Sequence, residues 1–431
     1  MTPSEARAWL AERRIEWVEL STPDMAGNSR GKLLPVAQFE AMEFRLPIAV
    51  FGQTIHGTYH MTEGNFVDRD MTVIPDLDTL RIVPWAAEPT ASVLMDARTN
   101  DGRPVDVAPR FVLKQMIARF SARGWTPIVA PEVEFYLLAG KPGDGELWDA
   151  TSPYGTEELQ GSGGFFQRLS EYCRAQRIEL GAVSQELGRG QFEVNFQHGD
   201  PLLLADSVFY FKRTLKHLAR ESGMRATFLA KIDGDKPGSS MHVHQSVCAK
   251  DGENIFSNAD GSPSKSFGAY LGGLQRFIPE LLLIFGPYPN SYRRLRSHWS
   301  SPVNLEWGID NRSVGLRIPE SPAASRRIEN RLPGSDVNPY LAFAASLGCG
   351  WMGMEQGLAC TAPVSGSAFE LPFALHRHTY QAIDAFRGSR AVRDLLGDEF
   401  VSLYSALKQL ECHEFEERIP DWECDGLSGI V

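Results

Sequence analysis

The chain has 431 residues, 43% of them hydrophobic and 23% charged, with a formal net charge of −11. That is the composition of a globular protein, not of a disordered or fibrous one, and the length exceeds a comfortable single core, so two domains are expected. The acidic balance, with no long Lys/Arg block, argues against nucleic acid as a partner. With no run of eighteen apolar residues and no apolar leader, a membrane is not expected either, and the cytoplasm is the expected compartment. Six cysteines without CxxC spacing read as reduced, buried thiols.

In chain order, residues 15–20 read as a strand and 23–31 as a turn-rich loop, and residues 82–84 lead into a strand at 91–96. Asn100-Asp101-Gly102 is a strong turn signal, and the domain boundary is expected near residue 105, giving domains 1–105 and 106–431. Beyond it, residues 110–123 have helical spacing and 127–138 alternate as a strand. A Gly/Pro/Asp-rich loop covers 140–155, followed by helices at 165–177 and 202–222 and strands at 226–232 and 241–247. The fold class expected is α+β.

Chemistry concentrates in four places. Glu132 and Glu134 share one face of an extended segment. Glu186 and Glu193 flank Leu187-Gly188-Arg189-Gly190-Gln191-Phe192, whose glycines suit a tight turn that returns the second acid beside the first. Either pair alone reads equally well as surface acids. The run Gly238-Ser239-Ser240-Met241-His242-Val243-His244-Gln245-Ser246 puts His242, His244 and Ser246 on one strand face by period two, with Met241, Val243 and Gln245 facing the other way. Seven arginines, Arg293, Arg294, Arg312, Arg317, Arg326, Arg327 and Arg331, lie within forty residues and enclose Glu329, two or three of them expected to make structural ion pairs. Five carboxylates and one imidazole form a hard ligand set suited to Mg²⁺ or Mn²⁺, and guanidinium groups bind phosphate and carboxylate bidentately, so phosphoryl chemistry is indicated.

These motifs, with Asn290-Ser291-Tyr292-Arg293-Arg294-Leu295, Asp310-Asn311-Arg312-Ser313 and residues 331–345, make the chain resemble glutamine synthetase of the class I type over essentially its full length. The resemblance implies an N-terminal β-grasp domain, a glutamine synthetase-type catalytic domain with an antiparallel-strand funnel backed by helices, and homo-oligomeric rings, hexamer or stacked dodecamer, with active sites between subunits. By motif match it assigns Glu134, Glu186 and Glu193 to a first metal and Glu132, His242 and Glu329 to a second. Gly238, His242, Arg294 and Arg331 fall to the glutamate side, and His244, Ser246, Arg312, Arg317 and Arg327 to the ATP side. The implied reaction is ATP-dependent: a γ-carboxylate is phosphorylated, then a neutral amine displaces phosphate.

Two positions depart from the pattern. Ammonium-using members carry an Asp in a Phe-Asp-Gly-Ser-Ser context and a flap Glu in a Pro-Gly-Tyr-Glu-Ala-Pro context. Here the corresponding stretches read Phe51-Gly52-Gln53-Thr54-Ile55 and Arg296-Ser297-His298-Trp299-Ser300-Ser301-Pro302. Losing both acids removes a cation trap and frees volume, so an organic amine is expected. Trp307-Gly308-Ile309-Asp310-Asn311-Arg312 and Gly234-Asp235-Lys236-Pro237-Gly238 resemble the γ-glutamyl-polyamine synthetase branch. His56, Tyr59, His298 and Trp299 line the expected approach of the amine and favour an apolar or aromatic tail, while Glu63 and Asp68 are available as acids for a second ammonium, so a bulky monoamine and a polyamine are both open, the monoamine first. His298 and His56 are the candidates for its base, with Arg294 and Arg312 as the other catalytic groups. Alternative readings are a true glutamine synthetase using ammonia, or a silent ATP- or glutamate-binding ring. Residues 357–373 contain no tyrosine, so control by adenylylation is not expected.

Overall fold

A computed structural model describes residues 1–60, 68–140, 153–160, 162–295, 301–428 and 430. The first half-sheet is a hairpin, β1 (Trp17–Pro23) against β2 (Ser29–Pro35). β1 also runs parallel to β5 (Thr90–Arg98), which pairs antiparallel with β4 (Asp70–Ile82), and β3 (Phe44–Pro47) closes the far edge. This mixed sheet, with its central parallel pair, is the β-grasp layout. The turn expected at 23–31 is shorter than the sequence suggests. It occupies residues 24–28, where an Asp24 carboxylate oxygen accepts from the amides of Ala26 (2.9 Å) and Asn28 (2.8 Å). β2 then follows without an apolar alternation because it is an edge strand, exposed at Gly31, Lys32 and Leu33.

The second sheet contains β6 (Thr126–Ala139), β7 (Leu180–Gln185), β8 (Gln191–Phe196), β10 (Met241–Cys248), β11 (Trp307–Ile309), β12 (Leu316–Ile318) and β13 (Ile328–Asn330). Their order is β11-β12-β13-β10-β6-β8-β7, with β9 (Met224–Thr227) pairing alongside β6. The strand expected over 226–232 is corrected: β9 ends at Thr227, and the chain after it leaves the ladder. There the Asn290 side chain accepts from the Lys231 amide at 2.9 Å and donates to its carbonyl at 2.8 Å, and the Asp233–Pro237 turn residues follow.

Long helices back this sheet. Pro201–Glu221 starts with Asp200 accepting from the amides of Leu202 and Leu203 and with Pro201 in its first turn. Pro339–Gln356 is capped in the same way by Asn338. The helices Lys265–Phe285 and Pro339–Gln356 take up the side of β10 that carries no imidazole: Gln245 accepts from Tyr270 Oη at 2.8 Å and donates to Ser346 Oγ at 2.8 Å. Arg110, in the helix Pro109–Ala122, joins the two sheets' layers. Its guanidinium is buried and donates to Asp206 (3.0 and 2.9 Å), Asp96 (2.8 Å) and Asp76 (2.8 Å), which hold its pKa well above the usual value.

Candidate active site

Cross-strand register assembles the site. On adjacent ladders Glu132 lies opposite His242, Glu134 opposite Glu193, His244 opposite Glu329, and Arg317 opposite Glu329. Because side chains alternate between faces, one pleated surface carries residues drawn from five strands. The hairpin between β7 and β8 turns at Gly190, whose φ of +73° suits glycine, and the Glu186 amide donates to the Gln191 carbonyl at 2.9 Å.

Among the described residues two groups of ligand atoms converge within 4.8 Å: Glu132, His242 and Glu329, and Glu134, Glu193 and His242. The first contains the three residues assigned to one metal. The second contains two of the other three, with His242 common to both. Glu186 is not in either close group, but its charge acts on both Glu134 and Glu193.

The electrostatics of the two groups differ. Burial, and then the Glu186 charge, raise Glu134 to about 8. Burial, and then Glu132, Glu134 and Glu186, raise Glu193 to about 9, and Glu186 also moves up through burial. Three crowded acids with no cation among them cannot all ionise cheaply, and a divalent ion is what such a donor set fits. In the other group burial opposes ionisation of Glu132, yet hydrogen bonds with His242 (3.3 Å) and His244 (3.0 Å) outweigh it and hold Glu132 well below the carboxylate range. Glu329, also buried, is brought down to about 2, chiefly by Arg331. Arg331 Nη1 lies 2.5 Å from its carboxylate and Arg317 Nη1 2.7 Å. Burial lowers His242, which favours the neutral imidazole that a metal needs.

The remaining predicted residues fall around this surface. Arg327 Nε lies 3.3 Å from His244 Nδ1, so Nδ1 accepts and Nε2 carries the hydrogen toward Glu132. Ser246 is half-buried two residues further along β10. Arg312 is exposed and its charge is felt by Glu186. Arg294 is 2% exposed, its Nη2 donates to the Leu332 carbonyl, and burial lowers it to about 10. Gly238 packs against it so tightly that a Cβ there would lie 2.4 Å from Arg294 Cγ and 2.8 Å from the Ala230 carbonyl. Arg326 is one of the structural arginines, holding Ser257 Oγ (2.6 Å) and the carbonyls of Gly261 (2.9 Å) and Ser262 (3.1 Å).

His298, Trp299, Ser300 and Glu63 lie outside the described residues. Thr54 Oγ1 donates to Glu414 (3.3 Å) and the Ile55 amide to Glu411 (2.9 Å), docking this loop on the helix Asp398–Glu416. His56 lines a cleft there that none of the six metal-ligand residues lines.

Gln191 touches the site, and sequence reasoning assigned it no role. Its amide donates to the Gly238 carbonyl (2.9 Å) and to Glu134 (3.4 Å), and the Ser240 amide adds a 2.7 Å bond to the same carboxylate. Asn195 supports Glu193 at 2.9 Å. Period two about Glu193 on β8 was the available signal for both.

Comparison with known proteins agrees with this geometry. The family model described as glutamine synthetase, catalytic domain, matches residues 106–427. Glutamate–isopropylamine ligase of a Pseudomonas species is 32% identical over 99% of this chain and 98% of its own. Gamma-glutamylputrescine synthetase PuuA of Escherichia coli K12 is 32% identical (96% and 91%), and a glutamine synthetase of Methanosarcina mazei is 32% identical (96% and 94%). Since the motifs that carry the resemblance are the ones that the β-sheet register brings face to face, and the similarity runs the length of the chain, this protein belongs to the glutamine synthetase family and is a ligase that forms carbon–nitrogen bonds.

Proposed function

We propose that the enzyme joins the γ-carboxylate of glutamate to an organic amine at the expense of ATP. The observation that carries this is the contrast within one chain. All six metal-ligand residues are kept, while Gly52 and Ser300 stand where ammonium-using members have acids. A γ-oxygen of glutamate attacks the terminal phosphorus of ATP and the bond to ADP breaks, leaving γ-glutamyl phosphate. The amine nitrogen then attacks the acyl carbon, loses a proton and expels phosphate.

The residues present fit divalent cations, Mg²⁺ or Mn²⁺, held by Glu134, Glu186 and Glu193 and by Glu132, His242 and Glu329. When bound, such ions offset the charge gathering on the transferred phosphoryl group. The protein's own groups do the rest. Arg294, wedged against Gly238, and Arg331 bind and orient the carboxylates of glutamate. Arg317, Arg327 and Arg312, with His244 and Ser246, hold the nucleotide side and neutralise developing negative charge. Without an anionic trap at Gly52 the acceptor pocket favours an amine recognised by shape, a bulky or apolar monoamine ahead of a polyamine, and the relative acting on isopropylamine supports a monoamine. The docking of the loop at residues 52–60 away from the chain's own ligands supports acceptor pockets completed by a neighbouring copy in a ring.

Phosphate release with glutamate, ATP and Mg²⁺ across a panel of amines tests the proposal. Turnover with alkylamines well above that with ammonium is expected; strong activity with ammonium and none with any organic amine overturns it. That second outcome would match the reading favoured by the Methanosarcina relative.

A further inference from the structure

A cleft of about 990 Å³ lies between the loop at residues 26–29, Trp85, the helix Pro201–Glu221 and the helix Asp398–Glu416, and no metal-ligand residue contributes to it. The helix Pro201–Glu221 presents Lys212, Lys216 and Arg220 to it at four-residue spacing, hence on one face, and Arg293 and Arg418 come from other walls. The neighbouring cations are occupied: Arg213 pairs with Glu19 at 2.6 Å, and His217 pairs with Glu221 at 3.2 Å and stacks on Trp85 at 4.8 Å.

Lys216, Arg220, Arg293 and Arg418, by contrast, have no carboxylate within ion-pair distance among the described residues, although three acids line the same cleft. Of those acids Glu411 pairs with Lys408 at 2.8 Å, whereas Glu414 and Asp336 accept only from the hydroxyls of Thr54 (3.3 Å) and Ser291 (2.6 Å), leaving two acids against the four cations. Lys212 donates to the carbonyls of Ser335 and Val337, and burial followed by the like charge of Lys216 pushes it down to about 7. In a chain of net charge −11 a cleft with this excess of cations over acids attracts anions, and one helical turn separates points at which two anionic groups of one molecule can be held. The volume is that of a small-molecule site.

We propose that this cleft binds a small organic polyanion, bearing two or more carboxylate or phosphate groups, through Lys216, Arg220, Arg293 and Arg418. The cleft is separate from this chain's own metal-ligand surface, and the proposal does not depend on which amine is used.

The test is calorimetric titration of the intact enzyme, with Mg²⁺, ADP and glutamate saturating so that their sites are filled. Tricarballylate serves as the carboxylate probe and fructose 1,6-bisphosphate as the phosphate probe. Saturable binding of at least one is expected, at least tenfold weaker in K216Q/R220Q and likewise in R418Q, whose changed side chain stands on another element. Both positions in the double variant are exposed, so the fold and the phosphate release without the probe should persist. The probe that binds identifies the anionic group recognised. Three results overturn the proposal: no saturable binding of either probe, equal binding by the variants, or variants that elute as a smaller assembly, which would assign these cations to a contact between copies.

Discussion

Glu134 and Glu193 retain protons near neutrality in the ion-free protein, because burial and neighbouring carboxylates raise them to about 8 and about 9, whereas in the unfolded chain they ionise near the ordinary carboxylate value. The folded state therefore binds more protons than the unfolded one between those limits, and ion-free stability falls as pH rises through that window. A divalent cation expels the protons, so the rise in melting temperature on adding Mn²⁺ should grow from pH 6 to pH 9; a pH-independent rise would count against this arrangement. Gln191→Ala, which removes the amide beside Glu134, should weaken Mn²⁺ binding by about tenfold while leaving the fold intact, as measured by titration. Gly238→Ala forces a methyl group into Arg294, and the KM for glutamate should rise by about tenfold, roughly 1.4 kcal/mol, with the KM for ATP little changed.

Among the elements, Arg110 ties three together, since one guanidinium serves carboxylates on β4, on β5 and on the helix Pro201–Glu221. Arg110→Met leaves the buried Asp206 without a cation and Asp76 and Asp96 with Lys114 alone, and should cost about 3–5 kcal/mol, read as a lower midpoint in chemical denaturation. The legibility of the elements followed their periodicity. β6 and β10 were readable because acids or imidazoles alternate with core residues, and the helices at 165–175 and 201–221 because their apolar spacing is regular. β11, β12 and β13 are three residues each, too short for a period to show, so the neighbours of Glu329 emerge only from the ladders β10–β13 and β12–β13. For the same reason the pairing of Arg317 and Arg331 with Glu329 could not be read from spacing: seven similar arginines compete for few acids, and only register decides among them.

At the scale of the whole molecule, negative charge predominates, and the positive charge described here gathers around Glu329 and along the polyanion cleft. No helix among the described residues is long and apolar enough to cross a membrane. The seat formed by Glu132, His242 and Glu329 already has two guanidinium groups and a second imidazole beside it, whereas the seat at Glu134 and Glu193 has a third carboxylate, Glu186, acting on it and no cationic side chain in direct contact among the described residues. On the proposed metal sites, the Glu134–Glu193 seat would draw an ion with the protein's own charges alone. The Glu132–His242–Glu329 seat is nearly neutral and would need the negative charge of a nucleotide to make occupancy favourable. Loading should therefore be sequential: a Mn²⁺ isotherm without nucleotide shows one tight step, and a second step emerges only when ADP is added.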